Sequence, residues 1–388
     1  MKQHKWLLPT IVFMMSSLLL DACNYLIQVL PTSTSSPLTA TQTAMPPTAT
    51  QTPAPPTPIP PSATPTLISI SANTISMLEI FESFELGDVV RTLAFTPDGA
   101  YLAAAGGNNQ VVPIRIWDVA SGCEISSLQG HNGIVWGVAF SPDGQTLASV
   151  SSDATAKVWD WDTGTLVKSL DFPGQVVSVS FSPDGQSLAV GGVDTPQNQI
   201  LNAAIWTYSV GTWEPLVKFS EFWNIGVMAY GPKGRTLIGG GTSRNVQVWR
   251  TSDGARLFTL SHAHQVSDAA ISQDGSTLAT GTCITVVNHE CTDGGVWLWD
   301  LLTEKLIDKL GGFPNVVESL AFSADGSALI VGSRDGTLRV YATSDYTSRF
   351  ETTSAGGIQA LTLSPDGGLL STGNASGEVH LWKIVYHP

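Results

Sequence analysis

Apolar residues alternate with polar ones in short runs that recur along residues 76–386. Val138 and Phe140, Val179 and Phe181, and Leu320 and Phe322 each lead into a short polar turn, and Leu147, Leu188 and Leu329 resume the alternation beyond it. A period of two sends successive side chains to opposite faces of an extended chain, so each run predicts two strands joined as a hairpin. The turn is nearly the same each time: "FTPDG" (95–99), "FSPDG" (140–144 and 181–185), "YGPKG" (230–234), "ISQDG" (271–275), "FSADG" (322–326) and "LSPDG" (363–367). Proline presets φ, aspartate bonds its own backbone and glycine accepts positive φ, which is turn chemistry.

A second phrase follows each turn and ends in an aromatic residue: Trp117, Trp159, Trp206, Trp249, Trp299, Tyr341 and Trp382. In most units a short polar turn and a fourth strand come next, ending near Leu128, Leu170, Leu260 or Leu310. A repeat of about 45 residues holding four short antiparallel strands cannot bury both faces of its sheet alone, and seven packed radially can. The orphan run Ser76–Phe84 precedes the first turn and the last unit stops after its third strand. Pairing these two closes the ring and removes open edges.

At these residues the chain resembles the WD40-repeat family. Trp-Asp ends the third strand in three units, and one unit carries the family's hydrogen-bonding set, His131, Ser149, Asp153 and Trp159. The resemblance implies an all-β, seven-bladed propeller that engages partner proteins on one face without intrinsic catalysis. Thr207, Arg250, Ala342 and Lys383 replace the terminal aspartate, which implies loss of polar contacts within those blades rather than loss of fold.

The units differ in one place. The turn glycine stands 15 residues before the closing aromatic in four units, but 18, 21 and 24 before it in units one, three and five. The extra length falls between the second and third strands (b and c), so the insertions at 106–113, 191–202 and 281–295 decorate one face. That face is the expected binding surface, with Asn108, Asn109, Gln110, Gln197, Asn198 and Gln199 from two insertions and His289 and Glu290 from the third. Phe222 and Trp223, in the connection entering unit four, are expected to join it. Its ligand is read as another protein, or alternatively as a surface glycan or peptide.

Residues 1–22 read as a signal peptide, with Lys2 and Lys5 before the apolar Leu7–Leu20 stretch. "LDAC" resembles the lipobox of bacterial lipoproteins, which makes Cys23 the lipid attachment point, although Asp21 departs from that pattern. The alternative is an uncleaved signal anchor, and both export the rest of the chain to the outer face of the cell membrane. Residues 24–75 read as a disordered tether, since Pro31–Thr66 has eleven prolines, eleven threonines and no charge. In polyproline II at about 3.1 Å per residue it reaches roughly 110 Å. The third segment, 76–388, is the propeller.

Charge and chemistry narrow the function further. A formal charge of −14 with no adjacent basic residues offers no footprint for nucleic acid. No motif for metalloprotease, serine hydrolase or phosphate-loop chemistry occurs, so no catalytic residue, cofactor or metal is expected. His262 and His264 have metal-pair spacing, but His262 stands where His131 stands in its own unit and reads as a blade histidine. Cys123 is expected to be free for want of a sequence-near partner. Cys283 and Cys291 flank the longest insertion and read as a disulfide worth roughly 2.5 kcal/mol in the exported chain. A zinc site with His289 and Asp293 is the weaker alternative.

Overall fold

The computed structural model describes residues 70, 78–108, 110–195, 202–222 and 225–384, and among these no helix forms. Strand β1 (Leu78–Glu85) comes first. The first blade is β2 (Val90–Phe95), β3 (Tyr101–Gly106), β4 (Ile114–Asp118) and β5 (Glu124–Leu128). The second is β6 (Val135–Phe140), β7 (Thr146–Ser151), β8 (Thr155–Asp160) and β9 (Thr165–Asp171). The third is β10 (Val176–Phe181), β11 (Ser187–Val193), β12 (Ala203–Ser209) and β13 (Pro215–Phe222). The fourth is β14 (Val227–Tyr230), β15 (Thr236–Gly240), β16 (Asn245–Arg250) and β17 (Arg256–Ser261). The fifth is β18 (Val266–Ile271), β19 (Thr277–Val287), β20 (Glu290–Asp300) and β21 (Lys305–Phe313). The sixth is β22 (Val317–Phe322), β23 (Ala328–Ser333), β24 (Thr337–Ala342) and β25 (Ser348–Thr353). The seventh is β26 (Ala360–Leu363), β27 (Leu369–Gly373) and β28 (Glu378–Ile384), with β1 as its outer strand.

The innermost strands abut in sequence, and β26 returns to β2, so the ring is closed. Its closure joins the two ends of the fold: Leu78 pairs with Ile384 and Glu85 with Glu378, antiparallel. The core lies between blades rather than at the axis. Ile114, Ile116 and Leu128 of the first blade, for example, pack on Val135, Leu147 and Trp159 of the second. The leucine that leaves each hairpin turn is fully buried in all seven blades: Leu102, Leu147, Leu188, Leu237, Leu278, Leu329 and Leu370. Each stabilises the fold by about 2 kcal/mol on burial. The seven-fold pattern is therefore an energetic repeat as well as a sequence repeat.

The turns form a ring of their own on the face opposite the insertions. Ser141 Oγ donates to Asp143 at 2.5 Å, and Ser182 to Asp184, Ser272 to Asp274 and Ser323 to Asp325 at 2.6 Å. A Cβ on Gly144, Gly185, Gly234 or Gly275 would sit 3.5–3.7 Å from the proline of the preceding blade's turn, and one on Gly99 would meet Pro365. Gln273 replaces that proline in the fifth blade, and nothing lies within 4 Å of the equivalent site on Gly326. A cleft of about 320 Å³ opens there.

Candidate interaction face

The b–c connections and those entering each new blade meet on one face. Thr242 and Arg244, between β15 and β16, share a cleft with Gln265, before β18, and with the loop that joins β19 to β20. The fifth-blade insertion is a finger: β19 and β20 keep pairing from Thr277 opposite Asp300 out to Val287 opposite Glu290. Its tip is the two-residue turn Asn288-His289, with φ of 51° and 70°. Positive φ at both positions is the hairpin turn that follows strand twist.

The base of the finger is fixed. Cys283 and Cys291 are disulfide-bonded across it with Cα atoms 5.8 Å apart, within the ordinary range. Asp293 accepts a hydrogen bond from the Gly312 N–H at 2.8 Å. A Cβ on Gly294 would stand 1.8 Å from the Asn315 carbonyl oxygen, so glycine is what lets the finger seat against the next blade. The zinc alternative fails because the two sulfurs are bonded to each other. Replacing both cysteines with serine is expected to leave global melting nearly unchanged. Amide exchange across Ile284–Thr292 should accelerate about tenfold or more, because the finger opens locally. Unchanged finger protection would show that Asp293 and Gly294 suffice.

Among the described residues, three openings stand out on this face. The largest, about 820 Å³, is the axial channel, ringed by Arg91, Trp136, Val177, Gly226, Ser267, Glu318 and Gln359 from equivalent positions of the inner strands. Arg91 lies over the Trp136 ring at 4.4 Å, and Arg334 pairs with Glu318. Burial raises the Glu318 carboxyl despite that pairing. Asp268, one residue deeper, is pushed up to about 7 by burial, although the Leu320 and Ala269 N–H groups donate to its two oxygens at 2.7 and 2.8 Å. The second opening, about 660 Å³, is the cleft beside the finger, lined by Arg244, His264, His289, Glu290 and Arg334 among others. The third, about 540 Å³, lies between Val111–Pro113 and Gln129–Asn132.

Beneath the face, the second blade carries a complete polar chain. Trp159 Nε1 donates to Ser149 Oγ at 2.8 Å, and His131 joins Ser149 at 2.8 Å and Asp153 at 2.9 Å. Burial works to raise Asp153, but hydrogen bonds from Thr155, Asn132 and His131 outweigh it and hold the carboxyl well below its usual range. The fifth blade has His262, Thr280 and Trp299 in the same roles, with His262 2.8 Å from Thr280. Its finger replaces the b–c turn that carries the aspartate in the second blade. His262 Nδ1 is left buried without a partner, and burial pushes its pKa down to about 4.

The expected binding residues fare unequally. Asn108, Gln110, His289 and Glu290 are exposed, but only His289 and Glu290 line an opening together. Asn108 instead donates its N–H to Asp88 at 3.0 Å. Phe222 is not in the connection but ends β13 opposite Ala203, and its side chain lies outside the described residues. Asn109, Gln197, Asn198, Gln199, Trp223 and Cys23 also lie outside them. His262 and His264 part company: the first is buried in its blade and the second lines the finger cleft. Cys123 is disulfide-bonded rather than free, because pairing follows distance in space, not nearness in sequence. Arg244, Arg334 and Asn315 were not expected at the face. Arginine in the b–c turns of units four and six, flanking the long insertion, was the available signal.

Seven four-stranded sheets, closed by strands from both ends of the fold, define a seven-bladed propeller. The family model for the WD domain, G-beta repeat matches residues 80–112, 122–160, 164–195, 254–300, 304–342 and 346–383. The chain belongs to this WD40 family, whose propellers generally act as protein-interaction scaffolds and are typically not enzymes. Strands β14–β16 of the fourth blade fall outside the match, yet that blade's four strands form a complete sheet. The chain is similar to apoptotic protease-activating factor 1 of Rattus norvegicus, 23% identical over 70% of this chain and 24% of the relative. It is 24% identical to autophagy-related protein 16 of Arabidopsis thaliana over 66% of this chain and 49% of the relative. A serine-threonine kinase receptor-associated protein of Gallus gallus is 26% identical over 75% and 77%. The chain thus spans a quarter to a half of the first two relatives.

Proposed function

We propose that this protein is an exported, membrane-tethered propeller that binds other proteins through the face bearing the b–c insertions. The observation that carries the reading is the contrast between the two faces. One has short turns of equal length, most of them interlocked; the other gathers the unequal loops, the pinned finger and three larger openings. Loops of unequal length on a regular scaffold are where binding residues concentrate. Photo-crosslinking residues placed at Gln110 and Glu290 should yield protein adducts on intact cells. The same residues placed at Gln145 and Gln186, on the opposite turns, should not. Equal labelling of both faces would remove the reading.

In this reading residues 1–22 direct export, Cys23 carries lipid and 24–75 form the tether. Mass spectrometry of the Cys23 peptide tests this: a diacylglyceryl thioether supports the lipid anchor, and an unmodified or uncleaved residue removes it.

A further inference from the structure

The finger cleft holds two residues in a backbone conformation that side chains ordinarily avoid. Arg244 has φ of 61° and His289 of 70°. Arg244 closes the turn between β15 and β16 through its N–H to the Gly241 carbonyl. The same closing bond is made in the second blade by Ala154, with φ of 65°, and in the sixth and seventh by Gly336 and Gly377, with φ of 96° and 95°. Asn-Gly is the favoured pair for a two-residue hairpin turn, and here the second position is histidine. A side chain in left-handed conformation costs about 1 kcal/mol or more relative to glycine. Arg244 and His289 line the same cleft of about 660 Å³, so these two left-handed positions bring a guanidinium and an imidazole to one space.

The remaining walls define what fits. Arg334 adds a second guanidinium, Gln265 and Asn315 add amides, and Glu290 adds one acceptor. Val286 and Val316 supply short aliphatic surface, and among the described residues the lining carries no Phe, Tyr or Trp. Guanidinium groups match carboxylates in bidentate geometry, while amides and one carboxylate match the N–H and C=O groups of a peptide. The formal charge of −14 disfavours a polyanion. The volume falls within the range of small-ligand sites. We propose that this cleft binds a short peptide segment bearing a carboxylate side chain, anchored by Arg244 and contacted by His289 from the finger. The proposal rests on the reading of this face as the interaction surface and names the chemistry it selects.

Arg244→Gly and His289→Gly separate binding from folding, because each places glycine where the backbone favours it. Both variants should melt no lower than wild type. The full chain and both variants are applied to a synthetic array of heptapeptides in matched sets bearing Asp/Glu, Asn/Gln or Lys/Arg. A third variant lacks residues 108–110 of the first-blade insertion, away from the cleft. Wild type should favour the Asp/Glu set, with binding at least tenfold weaker in Arg244→Gly and about threefold weaker in His289→Gly. No preference of Asp/Glu over Asn/Gln peptides overturns the proposal. So do Gly variants that bind like wild type. In that last case, lost binding in the 108–110 deletion leaves the face reading standing and removes only this cleft. If the deletion also binds like wild type, both fall.

Discussion

Asp268→Asn is expected to turn a nearly level acid profile into a steep one. Between pH 7 and pH 4 the variant should lose about 3 kcal/mol of stability, whereas wild type should change by about 1 kcal/mol. The two largest shifts that act over this window have opposite sign. Burial pushes His262 down to about 4, against about 6.5 when unfolded. A lowered histidine contributes fully above its unfolded value and is lost as pH falls toward 4, a loss of about 3 kcal/mol. Burial lowers His131 and His380 too, with the same sign. Asp268 is pushed up to about 7, so its contribution is complete below about 3.9 and disappears as pH rises through 7. Its partial exposure to the channel tempers that loss to about 3 kcal/mol. Removing the carboxyl leaves the histidine slope unopposed. Urea midpoints measured from pH 4 to 7 check this, and parallel profiles for the two proteins would refute it.

Asp153→Ala should cost about 3 kcal/mol at neutral pH. The buried His131 ring and the half-buried Thr155 hydroxyl would lose their shared acceptor, and unsatisfied buried donors are the expensive outcome. His262→Phe, in the equivalent chain of the fifth blade, should change stability by less than about 1 kcal/mol. That histidine already carries one unpaired nitrogen, and Thr280 keeps Trp299 and the Trp297 carbonyl as partners without it. Comparable losses from both substitutions would mean that the aspartate adds nothing to its blade.

Much of the fold was legible because its physics is local and repeated. The turn phrase, the period-two strands and the closing aromatic each depend on residues a few positions apart, and seven copies made the register unmistakable. Closure was legible from an orphan strand and an unfinished unit. The fourth unit's turn "YGPKG" lacks the hydroxyl–aspartate clamp, yet the Gly231 N–H still donates to the Thr236 carbonyl at 2.9 Å, so the strand pattern survives where the phrase weakens. Insertion lengths identified the face. They could not show how it divides, since Arg244, Gln265, Asn315 and Arg334 meet across three blades in turns of ordinary length. The Cys123 expectation failed for the same reason, because neighbours in space are not neighbours in the chain.

Closure of the ring also sets an order of events. The outer strand of the seventh blade, β1, is made near the start of the chain, and its partner β28 is made roughly three hundred residues later. Bringing such distant segments together is the slow kind of folding step. During synthesis β1 has no strand partner until β28 has emerged, although Phe84 can already stack on Trp117 of the first blade, so the edge of β1 with Leu78 and Ile80 remains available to other strands. A chain interrupted before β28 would carry six blades and an unpaired first strand, and an open ring of that kind is the form a quality-control protease would meet.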